Sequence, residues 1–351
     1  MTDDRPVALV TGDVPEYRLA PFRALAERER IEVLAFGDVV LGADFPLERV
    51  QQRAVARLAG RYRAVVCGLG GRLALPGAYA AARRARIPFV LWTSIWAHPR
   101  TVAHGLSWIP TRHLYRASDA VVTYGPHVTR YVERFRSRGA VFEAPQAVDR
   151  AQFGRHVPDA EVAAARRRAG ARPDQVLVLF VGRLVREKGI ETLAHAWRRA
   201  ELGEEAVLAT AGEGPLTLPG TRLGLVERAE LPALYAAADV LVLPSIGTRT
   251  FTEPWGLVTN EAMHQGTPVI ATDAVGAVAG GLVRDGRNGL VVRASDRDAL
   301  AARIRLIVRN PELRARLGAA AREDVGAYTP EAWADGVRRA LNAAMETRLL
   351  R

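Results

Sequence analysis

Lysine and cysteine are almost absent from this chain of 351 residues, since each occurs only once. Of the 49 basic residues, one is Lys188 and the other 48 are arginine. The single cysteine, Cys67, excludes an intramolecular disulfide and fits a reducing compartment. It lies in an apolar run over residues 64–69, which predicts a buried strand thiol rather than a nucleophile.

Long apolar runs are also missing. No window reaches the roughly 18 apolar residues that a membrane helix needs, and the first four residues are not typical of a signal peptide. A hydrophobic content of 49% with 25% charged residues is globular. We therefore expect a cytoplasmic protein, with peripheral contact at the inner membrane face left open. A length of 351 residues suits two domains.

The charge is strongly basic but dispersed. The net charge is +11, and residues 1–150 hold 22 arginines against 14 acids, a difference of +8. Nucleic acid, an anionic membrane face and anionic small molecules are the partners that such a charge attracts. The arginines lie mostly in Ala-rich helical stretches beside acids, and no basic tail, zinc finger or aromatic RNA-binding motif is present. We therefore expect no nucleic acid partner and keep one as a minor alternative.

Short apolar runs alternate with helical patterns along the whole chain. Predicted strands lie at Val7–Thr11, Ile31–Phe36, Ala64–Leu69, Pro88–Thr93, Ala120–Tyr124, Val141–Ala144, Val176–Val181, Ala206–Ala211, Val240–Leu243, Pro268–Thr272 and Gly289–Val292. Predicted helices lie at Leu19–Arg30, Leu47–Ala59, Ala78–Arg86, Ile190–Ala200, Leu231–Ala237, Leu257–Gln265, Asp296–Val308, Pro311–Arg322 and Pro330–Leu350. Buried strands separated by helices predict parallel sheets covered on both faces.

These patterns predict an α/β protein of two doubly wound domains facing a central cleft. The first domain spans residues 1–150, a polar connection spans 151–174 and the second domain spans 175–325. A return of the C-terminal helix, in residues 326–351, to the first domain is left open. Ligands of such sheets bind outside the carboxyl ends of the strands.

The first strand has no nicotinamide-binding fingerprint. It ends at Thr11-Gly-Asp13, without a Gly-x-Gly-x-x-Gly turn or an acid placed to hold a ribose. Gly12 permits a tight turn there, either for a donor site or for the fold alone.

The second domain carries more specific motifs. Gly182, Arg183 and Lys188 follow its first strand, where an ammonium and a guanidinium near a strand-to-helix turn suit a phosphate group. A tight turn over Gly212–Pro215 follows the second strand. Glu253 precedes a proline and should be extended, whereas Glu261 falls early in a helix opening near Gly256. The amides of Gly256, Leu257 and Val258 would form the anion site of that helix.

Together these segments resemble the retaining glycosyltransferases of family 4, which have the two-domain GT-B fold. The resemblance covers most of residues 175–325. It rests on Phe180-Val-Gly-Arg-Leu-Val-x-Glu-Lys-Gly189, Gly212-x-Gly-Pro215, Leu231-Pro-x-Leu-Tyr235, Ala238-Asp-Val-Leu-Val-Leu-Pro-Ser245, Glu253-x7-Glu261, Gly266-Thr-Pro-Val-Ile270 and Val283-x-Asp-Gly-x-Asn-Gly289. Pro145-Gln-Ala-Val-Asp149 also resembles the family's exit from its first domain.

The resemblance implies a donor site for a nucleoside-diphosphate sugar, with a UDP-sugar or GDP-sugar expected as co-substrate and no further cofactor. It implies that Arg183 and Lys188 neutralise the diphosphate, that Glu261 holds the ribose and that Glu253 contacts the transferred sugar. The implied remainder of the site is Gly12, Gly182, Gly212, Leu223, Val226, Trp255, Gly256, Leu257 and Val258.

We expect catalysis without a metal ion. The clear Asp-x-Asp pair, Asp296-Arg-Asp298, matches the start of a helix, and no His/Cys cluster has the spacing of metal ligands. Retention of the anomeric configuration is implied by the resemblance alone. Arg183, Lys188 and the helix amides would then stabilise the leaving diphosphate.

The acceptor is expected in the first domain, as a carbohydrate, a glycolipid or a natural product in a bacterial cell. The family often places a histidine after the strand that ends at Thr93, but Ser94 stands there. His98 and His104 are displaced candidates for that catalytic role, and His98 is preferred. The alternatives are an epimerase-like enzyme of the same fold, a nucleotide-binding protein without activity and a basic nucleic-acid-binding protein.

Overall fold

The chain forms two α/β units. The computed structural model describes residues 4–40, 42–57, 59–98, 101–136 and 139–349, except the side chains of residues 59, 102–104 and 349. Unit 1 is Met1–Val148 with Tyr328–Arg351, and unit 2 is Asp149–Ala327. Residues 151–174, predicted as a connection, lie within unit 2. The helix Asp159–Arg168 in this segment packs against the later helix Leu231–Ala237 of the same unit.

Unit 1 is built on a sheet of seven parallel strands in the order β3-β2-β1-β4-β5-β6-β7. Its central strands are apolar and buried along their length, as expected for strands covered on both faces. The strands are β1 Val7–Thr11, β2 Ile31–Ala35, β3 Leu47–Arg49, β4 Ala64–Gly68, β5 Phe89–Thr93, β6 Ala120–Thr123 and β7 Val141–Glu143.

The helices of unit 1 cover both faces of this sheet. They are α1 Leu19–Ala26, α2 Ala74–Arg84, α3 Val102–Ala117, α4 Pro126–Glu133 and the C-terminal α13 Pro330–Leu349. Helix α13 packs against α1, and its Trp333 is fully buried in the apolar core with Phe22 and Trp92. The last helix therefore belongs to the unit in which the chain begins.

Unit 2 has a sheet of six parallel strands in the order β10-β9-β8-β11-β12-β13. The strands are β8 Val176–Val181, β9 Ala206–Ala211, β10 Thr221–Gly224, β11 Val240–Leu243, β12 Val269–Thr272 and β13 Gly289–Val292. The helices are α5 Arg150–Phe153, α6 Asp159–Arg168, α7 Ile190–Ala200, α8 Leu231–Ala237, α9 Val258–His264, α10 Gly276–Ala279, α11 Arg297–Val308 and α12 Pro311–Asp324.

The two parallel α/β units confirm the predicted fold class. The helix predicted at Leu47–Ala59 is wrong. Leu47–Arg49 is instead strand β3, whose Leu47 pairs with Val33 of β2 at the edge of the sheet. Two short 3₁₀ turns, Val55–Arg57 and Ala59–Arg61, follow. Three residues with two exposed charges bury too little for a strand pattern to show.

Two further features bear on the expectations from composition. Cys67 is fully buried in β4, and this burial raises the pKa of its thiol to about 12, so the thiol stays protonated. None of the helices in the described ranges is both long and apolar enough to cross a membrane.

Candidate functional site

The order of strands in unit 2 reverses between β8 and β11. The chain proceeds outward from β8 through β9 to β10, and then returns to β11 on the other side of β8. Such a switch point leaves a crevice at the carboxyl ends of the two strands. The short 3₁₀ turn Arg186–Lys188 follows β8, and Ser245 and Glu253 follow β11. Residues predicted to form one site thus come from the two strands that flank the switch point.

Glu253 lies buried at this switch point. Its Oε2 accepts hydrogen bonds from Lys188 Nζ and from Ser245 Oγ, the latter at 3.1 Å. The side chains of Lys188 and Glu253 are 16% and 8% exposed. A buried carboxylate is costly unless opposite charge and hydrogen bonds compensate it, and here both are supplied. The structure therefore brings into contact Lys188 and Glu253, two predicted site residues that are 65 positions apart in the sequence.

Glycines bring the loops at this edge into close contact. Gly189, which follows Lys188, has φ +71°, and a Cβ there would lie 1.9 Å from the carbonyl oxygen of Pro244. Gly212 has φ +136°, and a Cβ there would lie 2.0 Å from the carbonyl oxygen of Gly182. Only glycine allows both the backbone conformation and the close approach. The tight turn expected at Gly212–Pro215 is therefore packed directly on the turn after β8.

Glu261, on α9, is the second buried carboxylate of unit 2. Its Oε2 accepts a hydrogen bond from the Tyr235 hydroxyl at 2.6 Å, and Arg228 NH1 lies 3.6 Å from its Oε1. Burial, followed by the charge of Glu261, raises the pKa of Tyr235 well above its usual value. The phenol therefore stays protonated and acts as the donor.

Arg228 was missed by the sequence reasoning. Its Nε donates to Gln152 Oε1 at 3.1 Å, and its guanidinium lies over the ring of Phe153, 4.8 Å from the centroid. Arg228 thus connects the first helix of unit 2 to the carboxylate of Glu261. No motif marks it, because it is one of 48 arginines, and only its position shortly after Val226 hints at a role.

Arg183 is placed differently from Lys188. Its side chain is 67% exposed and pairs with Glu187, four residues later, at 3.4 Å. None of its contacts with described residues joins it to Lys188 or Glu253. Gly182 makes the turn before it, with φ +147°. The diphosphate roles of Gly182, Arg183 and Lys188 stay predictions.

The segment predicted to line the sugar is folded against the core. Trp255 is almost fully buried, and its indole N–H donates to Asn260 Oδ1 at 2.7 Å. Gly256 has φ +90° and would meet Leu243 if it carried a Cβ. Helix α9 begins at Val258, with Leu257 as its N-cap residue. The first amides of a helix have no hydrogen-bond acceptor within it, so those at the start of α9 could donate to an anion, as predicted.

Leu223 and Val226, predicted to hold the base, line one cavity of about 340 Å³ in unit 2. Leu223 belongs to the edge strand β10, and Val226 follows it. The remaining walls come mainly from α6 and α8, with ion pairs between Arg155 and Glu161 and between Arg168 and Glu230 at the cavity. The lining of this cavity includes neither Lys188 nor Glu253, and the base-binding roles of Leu223 and Val226 stay predictions.

The candidates of unit 1 lie at two places. Gly12 directly follows β1, and its carbonyl oxygen accepts a hydrogen bond from Gly37 N at 3.0 Å. His98 packs against Trp108, with 4.7 Å between the ring centroids, and lines a cavity of about 490 Å³. The side chain of His104 lies outside the described residues. The donor role of Gly12 and the catalytic role of His98 stay predictions.

The Asp-x-Asp pair has structural partners. Asp296 caps α11 by accepting from Ala299 N at 2.9 Å, and Asp298 pairs with Arg199 at 2.5 Å. Within the described part of the chain, no three His, Cys, Asp or Glu side chains converge as metal ligands. Metal independence of the reaction stays a prediction.

Comparison with known proteins places the family in unit 2. The family model described as Glycosyl transferases group 1 matches residues 175–310. A D-inositol 3-phosphate glycosyltransferase of Geodermatophilus obscurus is 35% identical over 209 residues, which cover 52% of this chain and 44% of that protein. A GDP-mannose-dependent alpha-(1-6)-phosphatidylinositol monomannoside mannosyltransferase of Mycolicibacterium smegmatis is 31% identical over 223 residues, covering 58% and 56%. The chain spans about half the length of the curated relatives that it matches.

Solved structures show the same fold along nearly the whole chain. Anabaena Alr3699/HepE, solved in complex with UDP, superposes with a TM-score of 0.77 at 19% identity and covers 96% of this chain and 100% of its own. Sucrose-phosphate synthase from Thermosynechococcus elongatus superposes with a TM-score of 0.75 at 22% identity, covering 98% and 100%. Residues 175–310 therefore resemble the glycosyl transferases group 1, and the chain has the GT-B architecture of two Rossmann-like units.

Proposed function

We propose that this chain is a metal-independent, retaining glycosyltransferase of family 4, which moves a sugar from a nucleoside-diphosphate sugar to an acceptor hydroxyl. The bond between the anomeric carbon and the diphosphate oxygen breaks, and a bond between that carbon and the acceptor oxygen forms. The nucleoside diphosphate and the acceptor's proton are released. The supporting observation is Glu253, buried beside Lys188 at the switch point of the family-matched unit.

Lys188 and Arg183 would stabilise the departing diphosphate. Its negative charge grows as the bond breaks, and positive groups fixed in place before the reaction stabilise that charge without reorganisation. Lys188 is held by Glu253, whereas Arg183 is exposed and available on the loop before it. The amides of Gly256, Leu257 and Val258 would add partial positive charge at the start of α9.

The two buried carboxylates would hold the hydroxyl groups of the donor. Glu253 would contact the transferred sugar and Glu261 the ribose, because an ionised carboxylate accepts about four hydrogen bonds through its two oxygens. Lys188 and Ser245 fix the first carboxylate, and Tyr235 fixes the second. Gly12, Gly182, Gly212, Leu223, Val226 and Trp255 complete the proposed donor site, and His98 is the proposed catalytic residue of unit 1.

A UDP-sugar or a GDP-sugar is the proposed donor, and no other cofactor is proposed. One solved structure of this fold is a complex with UDP and glucose, and one relative is named as dependent on GDP-mannose. The acceptor is proposed to be a carbohydrate, a glycolipid or a natural product.

A transfer assay tests the proposal. Purified protein with UDP-sugars, GDP-sugars and a panel of acceptors should release nucleoside diphosphate only with an acceptor, and excess chelator should not stop turnover. NMR of the glycoside should show the donor's anomeric configuration. Lys188→Ala and Glu253→Gln should each lower turnover about 100-fold or more, because each removes charge or hydrogen bonding that acts on the reacting groups. Arg186→Ala, an exposed neighbour in the same turn, is the matched control.

Three outcomes would contradict parts of this proposal. Loss of turnover with chelator would contradict metal independence, and an inverted product would contradict retention. Conversion of the nucleotide-sugar without a glycoside product would favour the epimerase-like alternative.

Peripheral contact with an anionic membrane at the inner face of the cytoplasmic membrane is part of the proposed function. Leu106 and Ile109, one turn apart on α3, are 75% and 77% exposed. Arg112 and Arg116 are exposed on the following turns, and α3 contains no acid. Apolar side chains beside arginines match the acyl boundary and the anionic headgroups of a bilayer.

Vesicle sedimentation tests the membrane contact. The protein should sediment with vesicles containing phosphatidylglycerol and not with pure phosphatidylcholine vesicles. The double variant Leu106→Ser/Ile109→Ser should lose most of this binding. Leu73→Ser is the control, since Leu73 is 60% exposed on the same unit but lies away from α3 in sequence. Equal sedimentation of all three proteins would contradict the contact through α3.

A further inference from the structure

Arg18 is a buried arginine at the carboxyl edge of the sheet in unit 1. It ends the short 3₁₀ helix Glu16–Arg18 that follows β1, and it is only 8% exposed. Its guanidinium lies over the ring of Trp92, 4.5 Å from the centroid, with Tyr17 and Tyr124 at 5.1 and 5.5 Å. An arginine stays charged in proteins, so a full positive charge is held here.

The protein supplies few acceptors for this charge. Arg18 NH1 donates to Gln146 Oε1 at 3.2 Å, and NH2 donates to the Tyr124 hydroxyl. A guanidinium has five N–H donors, and these two bonds go to neutral groups. No carboxylate of a described residue forms an ion pair with Arg18. The charge is therefore stabilised by aromatic faces and dipoles but is not neutralised.

Arg136 of the same unit shows what a purely structural buried arginine looks like. It is also 8% exposed, but it donates to four backbone carbonyl oxygens at 2.7 to 3.2 Å. These acceptors belong to Tyr115, Ser118, Asp119 and Gly139. Arg136 therefore fixes loops and makes four hydrogen bonds, whereas Arg18 at equal burial makes two.

A second donor beside Arg18 is also without an acceptor. The indole Nε1 of Trp92 is buried, and no described residue accepts its hydrogen bond. Burying a donor without a partner costs free energy, so such a group usually has a ligand or a fold-determined reason. Both unmatched groups are donors, and a ligand that satisfies both must offer acceptors and negative charge.

The position of Arg18 in the sheet matches a ligand site. The strand order of unit 1 reverses between β1 and β4, and Arg18 follows β1. Trp92 lies near the end of β5, and Tyr124 directly follows β6. These are carboxyl ends, at which parallel sheets bind their ligands. Tyr17 and Tyr124 are only half-buried, so solvent reaches this edge.

We propose that Arg18 and Trp92 form an anion subsite in unit 1 that binds a phosphate or carboxylate group of the acceptor substrate. This inference rests on the proposed glycosyl transfer, because it names the chemical class of the acceptor. The planar fork of a guanidinium binds two oxygens of either group at once, and the indole N–H adds a third hydrogen bond. A lysine at the same place would offer charge without the fork.

Binding of small anions tests the subsite without any turnover. The assays use the Lys188→Ala background, which removes the lysine predicted to bind phosphate in unit 2. Inorganic phosphate, glucose 6-phosphate and glucuronate should bind and raise the thermal midpoint, while glucose should not. Adding Arg18→Gln should weaken the binding of these anions by about 10- to 100-fold, and Arg18→Lys should give an intermediate loss of affinity. Arg23→Gln, which removes an exposed arginine of α1 with the same change in charge, should have no effect.

The two sugar anions separate the possible acceptors. Preference for glucose 6-phosphate identifies a phosphorylated acceptor, and preference for glucuronate identifies an acidic sugar. Equal binding of glucose and of both anions, or equal anion affinity in the wild type and Arg18→Gln, would overturn the subsite. If Arg18→Gln fails to fold, a measurement on the wild-type protein still tests the subsite. The indole N–H resonance of Trp92, assigned with Trp92→Phe, should shift during a phosphate titration, and an unmoved resonance would also overturn the proposal.

Nucleoside diphosphates distinguish this inference from the proposed function. Arg18→Gln in the otherwise unchanged protein should keep the wild-type thermal response to its nucleotide. Loss of that response with unchanged binding of the sugar anions would assign Arg18 to the donor and overturn the acceptor subsite. If no nucleotide stabilises the wild type, the proposed function fails, while the phosphate titration still reports on Arg18.

Discussion

At the scale of single residues, unit 2 buries two carboxylates and gives each its own donors. Glu253 accepts from Lys188 and Ser245, and Glu261 accepts from Tyr235 with Arg228 nearby. In a buried site, removing one partner leaves the remaining charge buried without compensation. The loss is then larger than the net contribution of the pair.

Lys188→Met should destabilise unit 2 by about 3–5 kcal/mol, because it leaves the Glu253 carboxylate buried without its counter-charge. Combining Lys188→Met with Glu253→Gln should recover a large part of this loss, since no charge is then buried. Urea unfolding of the single and double variants measures the coupling as a double-mutant cycle. Simple additivity of the two changes would show that the pair is not coupled.

Arg228→Ala should weaken nucleotide binding about tenfold, if Glu261 binds the ribose as proposed, because the guanidinium no longer orients Glu261 Oε1. The same change should have little effect on a 2′,3′-dideoxy nucleotide, which lacks the hydroxyls. Calorimetry with both ligands separates this positioning role from general destabilisation. An equal loss for both ligands would contradict it.

The spacing of residues in the sequence could name Lys188, Glu253 and Glu261, but not their partners. Arg228 has no motif around it, and Ser245 appears only as the end of a strand. Contact between Lys188 and Glu253 depends on β8 and β11 being neighbours. Strand order is set by how the whole sheet packs, and the local pattern of residues carries no record of it.

At the scale of helices and strands, the buried strands and two of the four edge strands, β7 and β13, were predictable. Val176–Val181 and Ala206–Ala211 have the predicted bounds, because each is an apolar run, interrupted only by Thr210 in the second, between turn residues. Strand β10, Thr221–Gly224, and strand β3 were missed. Each is short, partly exposed and paired on one side, so few apolar residues mark it.

Helix α9 carries a pH-dependent element of stability in His264. Burial, followed by the charges of Arg150 and Arg322, lowers the pKa of His264 from 6.5 to about 4. Between these values the unfolded chain binds a proton that the folded chain does not. Stability should therefore fall as the pH drops from 6.5 towards 4, by up to about 3 kcal/mol from this residue.

His264→Asn should flatten this part of the stability profile, measured by urea unfolding at pH 7 and pH 4.5. The pKa of Asp324, lowered to about 2 mainly by its hydrogen bond with Arg287, makes a separate contribution that is lost only below about pH 4. An unchanged slope between pH 6.5 and pH 4.5 in His264→Asn would contradict the assignment to His264.

At the scale of the whole molecule, the two units are not simply the first and second parts of the chain. The segment after residue 327 completes unit 1, and the polar segment after residue 148 belongs to unit 2. The helical pattern of the last residues predicts α13 but does not say which unit it covers. The contacts of Trp333 with Phe22 and Trp92 in the structure show that α13 belongs to unit 1.

Trp333→Ala should destabilise unit 1 by about 3–5 kcal/mol, because it leaves a large cavity in the core. Hydrogen exchange should accelerate in β1, β5 and α1 and stay unchanged in the β8–β11 region. Glu331→Ala, an exposed change on the same helix, is the control. Equal acceleration in both units would contradict an assignment of α13 to unit 1 alone.

A thermal-shift experiment with UDP, GDP, ADP, TDP and CDP is the most direct test of a nucleotide-sugar site built around Lys188. A ligand that binds only the folded protein raises the midpoint, by about 5 °C or more at a concentration 100 times its dissociation constant. We expect one of these nucleotides to stabilise the wild type and Arg186→Ala, and Lys188→Ala to lose the response relative to its own baseline. No response in the wild type to any nucleotide, or a full response in Lys188→Ala, would contradict the proposed donor site.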